Sequence, residues 1–360
     1  MYSSLCFPMR LLLPLILIAL ACPAQEPAVT TLDVNQIMLD FDNTIRAHSQ
    51  KLMAAKSDAE RATLSTQFPS PDKLAPTMLR IMQEHPDEAA SMTAMSWLVT
   101  RATQLPQGLI ALQDLKEKHA AKKGLLETID FLSHAQPLVA EPVLRIIREK
   151  NPNIEEKAAA THGLGLCLFG QSEGNPADPK SQAALAEAVS LFTEMVTAYK
   201  DVVCRGFKLA DQAAAMLFEI ENLNPGKTSP EIEGKDASGA SFKLSDYRGK
   251  TVVLIFWGSW CHACHATLDG VRNSVQARAD KVVMLGVNTD PLETYKQLAT
   301  TQNISWRNWC DEYNRGPISA VWNIRHWPTI YVIDAKGVIR GKDVSSGQLD
   351  QVLTQVLTAP

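Results

Sequence analysis

An apolar run, Thr251-Val252-Val253-Leu254-Ile255-Phe256, leads directly into Trp257-Gly258-Ser259-Trp260-Cys261-His262-Ala263-Cys264, and Ala266 to Ala279 follows with helical character. A β-branched strand that hands over to a helix asks for a sheet to bury the strand, and it fixes where two cysteines sit. They fall at a helix start, where unpaired backbone N–H groups and the positive end of the macrodipole favour an anion. Cys261 should therefore ionise below the ~8.5 of a free thiol and act as a nucleophile. The spacing of two residues lets the Cys264 sulfur, on the first helical turn, reach back and close a reducible disulfide.

Length and charge bound the rest. A chain of 360 residues suggests two domains, each with its own core, and 46% hydrophobic with 21% charged residues is ordinary for globular protein. A formal charge of −4 gives no electrostatic footprint for nucleic acid or an anionic membrane surface, so neither is expected as a partner. Residues 1–24 have the form of an export signal: Arg10 ends a short n-region, Leu11 to Ala21 is apolar but too short to span a bilayer, and small residues follow. Cleavage after Ala21 and after Ala24 are both compatible with this pattern. Cys22 has two readings, a lipidated cysteine and an incidental one, and a membrane enters only through the first.

Residues 25–224 read as an all-helical domain. Helical periodicity runs through Leu39–Ser65, Leu74–Glu84, Asp87–Thr103, Gln113–His134, Glu141–Lys150, Ile154–Phe169, Ser181–Tyr199 and Phe207–Asn222. Leu79-Arg80-Ile81-Met82-Gln83-Glu84-His85-Pro86 resembles Leu144-Arg145-Ile146-Ile147-Arg148-Glu149-Lys150-Asn151-Pro152, a weak repeat that suggests stacked helical hairpins. Such a domain suits protein docking or oligomerisation. Met78, Met82, Met92 and Met95 fit core filling better than soft-metal ligation, and His162 with Cys167 lacks a second ligand pair at zinc spacing. No metal or cofactor is expected. Cys167 and Cys204 remain open between a disulfide and two free thiols.

Asn222 to Pro230, rich in Pro, Gly and Ser, marks the boundary to a domain at 225–360. There Glu231–Gly234 and Ser241–Leu244 form a hairpin pattern, and strands at Thr251–Trp257, Val282–Val287 and Thr329–Ile333 alternate with helices at Ala266–Ala279 and Leu292–Thr301. An edge strand at Gly337–Arg340 and a helix at Leu349–Leu357 close an α/β sandwich.

Three separated blocks in this domain resemble the TlpA/ResA-like thioredoxins. They are Gly234-Lys235-Asp236 with Phe242 to Lys250, then Phe256 to Cys264, then Trp327-Pro328-Thr329-Ile330-Tyr331-Val332-Ile333-Asp334. The resemblance covers about Thr228 to Leu357 and implies a thioredoxin fold behind the helical, hairpin-built domain. It implies thiol–disulfide exchange: Cys261 attacks a disulfide and Cys264 resolves the mixed disulfide. It also implies a cis bond before Pro328, with Trp327 and Trp260 lining the substrate groove. Protein disulfides are then the substrates, with a separate redox partner.

The sequence departs from the family at four positions. Ile255 stands where thioredoxins bury an acid, and Thr267 and Asp269 stand where ResA-like members carry an acid and a proline, which leaves no evident proton acceptor for Cys264. His262 replaces a common glycine, and it either tunes the thiolate or stays solvated. His265 and His326 read as surface or groove residues, and Cys310 as a structural thiol or a relay partner. Two other readings are a thiol peroxidase, for which the peroxide pocket is missing around Cys261, and a scaffold protein, which would not need both cysteines.

Overall fold

The computed structural model describes residues 31–84, 89–175, 177–301, 304–313 and 316–358. The expected signal and Cys22 lie outside them. Two compact units make up the chain, residues 1–111 and 112–360.

In the first unit the helical pattern forms α1 (Thr31–Ala54), α2 (Asp58–Thr66), α3 (Ala75–Glu84) and α4 (Ala89–Arg101). The continuous helix expected over Leu39–Ser65 is two helices. Ser57 caps α2, its side chain accepting the Glu60 N–H at 3.2 Å, and this local bond offers the backbone an alternative to continuing α1. Met78, Ile81 and Met82 of α3 and Met95, Trp97 and Leu98 of α4 are buried, so three of the four methionines are core and Met92 is half-buried at its edge. A buried Ser91 hydroxyl donates to the Met82 carbonyl at 2.8 Å and ties the two helices together.

Helix α5 (Pro106–Asp114) spans the division between the units. The second unit continues with a π-helical turn (Leu115–His119), α6 (Leu126–Ser133), α7 (Pro137–Lys150), α8 (Ile154–Ser172) and α9 (Pro179–Ala198). The helix expected over Gln113–His134 is interrupted at 120–125. Buried Glu156 accepts the Gly124 and Leu125 N–H groups at 2.6 and 3.0 Å, and Asn151 Nδ2 donates to the Ala120 carbonyl at 3.0 Å. A small hairpin follows, β1 (Val203–Cys204) and β2 (Phe207–Lys208), turning on Arg205 (φ 49°) and Gly206 (φ 84°). Both turn residues are left-handed, as a two-residue hairpin with type I′ geometry requires. The final helix of this stretch, α10 (Leu209–Asn222), therefore starts after Phe207 rather than at it. Cys167 and Cys204 are free thiols.

The sheet portion opens with the expected hairpin, β3 (Glu233–Lys235) and β4 (Ser241–Lys243). It continues through β5 (Thr251–Trp257), α11 (His262–Gln276), β6 (Val282–Asn288), α12 (Leu292–Thr301), β7 (Arg307–Cys310), α13 (Pro317–Val321), β8 (Thr329–Ile333), β9 (Ile339–Gly341) and α14 (Ser346–Thr358). The five-stranded sheet has the order β7-β6-β5-β8-β9, parallel from β7 to β5 and antiparallel from β5 to β9. This is the expected thioredoxin fold, with β7 and α13 added to the sequence-based pattern.

Every residue of central β5 is buried, and its two faces feed two cores. Val253, Ile255 and Trp257 join Cys261, Cys264, Leu268, Leu349 and Leu353 on one side. Val252, Leu254 and Phe256 join Phe242, Trp309, Trp322 and Tyr331 on the other. The stretch at Asn222–Pro230 is not a free linker. Leu223 is buried in the second of these cores, and the chain then pairs along β9: Gly226 N–H donates to Ile339 O at 2.7 Å and Ser229 N–H to Gly337 O at 2.9 Å. The change from helix to sheet at 224/225 thus lies within one compact unit, and the compact division falls at 111/112.

Candidate active site

The seven buried residues of β5 deliver the chain to Gly258 at the sheet end, and Cys261 begins α11 as its N-cap. Its Sγ accepts the Cys264 N–H at 3.1 Å, one of the orphan donors of the first turn, so the helix start is satisfied by sulfur. Cys261 and Cys264 are disulfide-bonded with Cα atoms 5.3 Å apart. Cys264 is fully buried and Cys261 is 7% exposed, which leaves Cys261 as the sulfur an incoming group meets first.

Around the pair the structure brings together most of the residues the sequence singled out. The Trp327–Pro328 bond is cis. Trp260, 53% exposed, meets Trp327 edge to face with ring centroids 5.5 Å apart, and Trp327 packs against the core that holds both cysteines. His262 projects from the first turn of α11 and is exposed, while His265 bonds through Nε2 to the Ser259 carbonyl at 2.8 Å, bracing the turn before Cys261. His326 pairs with Asp343 at 3.2 Å, and this bond raises its pKa above the ordinary histidine value.

Ile255 is fully buried beneath the pair, in apolar company with Ile330 and Val332. Thr267 turns back to the Ala263 carbonyl at 2.9 Å, and Asp269 pairs with Arg272 at the surface. Neither supplies the missing acid. Cys310, at the end of β7, is half-buried and free, and burial first, with Asp236 and Glu312 adding to it, pushes its thiol up to about 11. A thiol held so far above neutrality is protonated and a poor nucleophile at pH 7, which favours the structural role over a relay.

Sequence reasoning missed the clamp on the active-site turn. Asp290, buried just past β6, accepts the Ser259 N–H at 2.9 Å and the Ser259 hydroxyl at 2.7 Å, and Asn288 Nδ2 donates to it at 2.8 Å. Next to it, Thr289 Oγ1 accepts Trp260 Nε1–H at 3.3 Å. Two residues just past β6, Thr289 and Asp290, thus fix the two that precede the nucleophile, and Asn288 at the strand end holds Asp290 in place. The available signal was the polar run Asn288-Thr289-Asp290 at the end of an apolar strand.

The arrangement can exchange a disulfide, and among the described residues no group of three or more His, Cys, Asp or Glu could hold a metal ion. The curated sequence relatives agree with this chemistry. Residues 225–342 match the AhpC/TSA family. The thioredoxin-like protein YneN of Bacillus subtilis is 31% identical over 122 residues, 33% of this chain and 70% of that one. The thiol-disulfide oxidoreductase ResA of Geobacillus kaustophilus is 28% identical over 117 residues, 32% of this chain and 66% of that one. Among solved structures, the thioredoxin domain of a thiol-disulfide oxidoreductase from Bacteroides vulgatus is 25% identical with a TM-score of 0.34, covering 37% of this chain and 98% of that one.

Proposed function

The chain belongs, through its C-terminal third, to the thioredoxin-like thiol-disulfide oxidoreductases, and we propose that it is an exported member that reduces protein disulfides through Cys261 and Cys264. The observation that carries this reading is the asymmetry of the pair: an outer sulfur at a helix N-terminus, an inner sulfur fully buried behind it.

In the reduced protein the Cys261 thiolate attacks one sulfur of a substrate disulfide. A Cys261–substrate bond forms and the substrate disulfide breaks, its second sulfur leaving as a thiolate that takes a proton from solvent. Cys264, losing its proton, then attacks Cys261 Sγ and expels the first substrate sulfur. Two electrons pass from the dithiol to the substrate, and a second dithiol, the redox partner, must restore them. Trp260, Trp327 and the backbone at Pro328 form the groove in which an extended substrate segment lies. His262, exposed beside the outer sulfur, adds positive charge when protonated and so favours the thiolate.

Export is supported by the leader-like residues 1–24, and the helices ahead of the sheet would dock a partner or a second copy. Among the described residues no helix is long and apolar enough to cross a membrane. Lipidation of Cys22 would attach the protein to one. The mature protein should catalyse the reduction of insulin by a dithiol, and Cys261→Ser should abolish it. Turnover of hydrogen peroxide with no insulin reduction would replace this reading with a peroxidase.

A further inference from the structure

Glu219 lies on the buried stripe of α10 and is 2% exposed. A buried carboxylate is costly unless its lone pairs are met, and here they are met by groups from the sheet portion. Asn323 Nδ2 donates to Oε2 at 2.6 Å, Arg325 Nη2 donates to Oε1 at 3.1 Å, and Lys342 Nζ pairs with the same oxygen. Helix α8 adds to this node. The Phe169 ring lies 5.7 Å from the Arg325 guanidinium carbon and 5.4 Å from Lys342 Nζ, within reach of cation–π attraction. Glu173, just past α8, is 3.9 Å from Lys342.

The partners of Glu219 are not scattered. Asn323 and Arg325 belong to the short segment that runs into the cis Trp327–Pro328 bond, and Asn323 holds a left-handed φ of 46°. Lys342 directly precedes Asp343, which pairs with His326, the residue before Trp327. One buried acid on a helix therefore ties down the segment that leads into the Trp327 turn and, past β9, the residue beside the Asp343 that pairs with His326. Trp327 in turn meets Trp260 beside the nucleophile.

We propose that Glu219 is a positioning residue for the substrate groove, so that α8 and α10 set how a disulfide-bearing polypeptide seats next to Cys261. This rests on the oxidoreductase reading. The sulfur chemistry stays with Cys261 and Cys264, and Glu219 governs substrate affinity.

Two sets of changes test this from opposite sides. Glu219→Gln removes the charge from the helix, and Asn323→Ala with Arg325→Ala removes the grip on the 323–325 segment while the Glu219–Lys342 pair stays. In both, hydrogen exchange at the Asn323 and Ile324 amides, which donate to Ala320 and Ser319 carbonyls at 3.1 and 3.0 Å, should quicken about tenfold while β5 keeps its protection. The KM for insulin should rise about fivefold or more, with kcat and the midpoint potential of the Cys261–Cys264 pair unchanged. Unchanged exchange, loosening that extends equally to β5, or local loosening with unchanged KM would each overturn the proposal. If the wild-type protein reduces no protein disulfide, the oxidoreductase reading fails, and the exchange measurement still decides whether Glu219 positions the segment.

Discussion

Removing the Asp290 carboxylate should be the most informative single change around the active-site turn. Asp290 is 2% exposed and accepts from the Ser259 N–H, the Ser259 hydroxyl and Asn288 Nδ2. A hydrogen bond to a charged acceptor contributes about 1.5–3 kcal/mol net, and three simply summed would exceed what one buried site is observed to lose. Ser259 is half-buried, so its freed donors can meet water, which lowers the cost. Asp290→Ala should therefore cost about 3 kcal/mol, and Asp290→Asn, which keeps one carbonyl acceptor, about half of that. Six of the seven tryptophans lie between positions 257 and 327, so urea unfolding followed by tryptophan fluorescence reports mainly on the unit that contains the site. A double-mutant cycle with Ser259→Ala should return a coupling of about 1 kcal/mol for the hydroxyl–carboxylate bond. A loss below about 1 kcal/mol for Asp290→Ala, or no coupling to Ser259, would refute the clamp.

Three further outcomes follow from the same geometry. Alkylation of the reduced protein at Cys261, followed against pH, should show a midpoint below the ~8.5 of a free thiol, and a midpoint at or above that value would mean that the helix start gives the sulfur nothing. His326 has its pKa raised by the bond to Asp343, so the pair stabilises the fold below the unfolded histidine pKa and that contribution is lost as pH rises through the higher folded value. The stability difference between wild type and His326→Gln should accordingly shrink between pH 6 and pH 8.5, as read by thermal melts; a difference that grows would reverse the sign of the argument. His162 is the opposite case: burial lowers it to about 4, and its Nε2 has no hydrogen-bond partner among the described residues, so the unfolded chain takes up the proton first as pH falls. Stability should drop by about 3 kcal/mol between pH 7 and pH 4 from this group alone, and His162→Leu should flatten that limb of the acid-unfolding curve.

What the sequence carried and what it did not divide along physical lines. The strand, turn and helix around Cys261 were legible because each local signal agreed: β-branched run, glycine, N-cap position, helical continuation. Pro328 was placed through a motif, and the structure has its bond cis. Strand β7 was missed because Arg307-Asn308-Trp309-Cys310 is short, holds no β-branched residue, and becomes a strand only by pairing with β6. The hairpin at 203–208 was missed, its second strand falling inside the helix expected over Phe207–Asn222, because two-residue strands carry no periodicity, although Arg205-Gly206 was a usable turn signal. Glu219 falls inside the helix expected over Phe207–Asn222 and carries no motif that singles it out. Its position in register with buried Leu209, Ala213 and Met216 marks the apolar stripe, and an acid on that stripe needs a partner that only the tertiary structure names. The boundary after Asn222 was legible as a change of texture. That the linker then pairs with β9, and that the helices before it belong to the same compact unit, depends on contacts far apart in sequence.

The central claim is that Cys261 attacks substrate disulfides and Cys264 resolves the product, and Cys264→Ser addresses it directly. With the resolving sulfur gone, the full-length protein should accumulate mixed disulfides between Cys261 and its substrates, released by a reductant and identified by mass spectrometry. Captured proteins joined through Cys261, absent from a Cys261→Ser control, are the predicted result. A Cys264→Ser protein that traps nothing beyond that control would contradict the account.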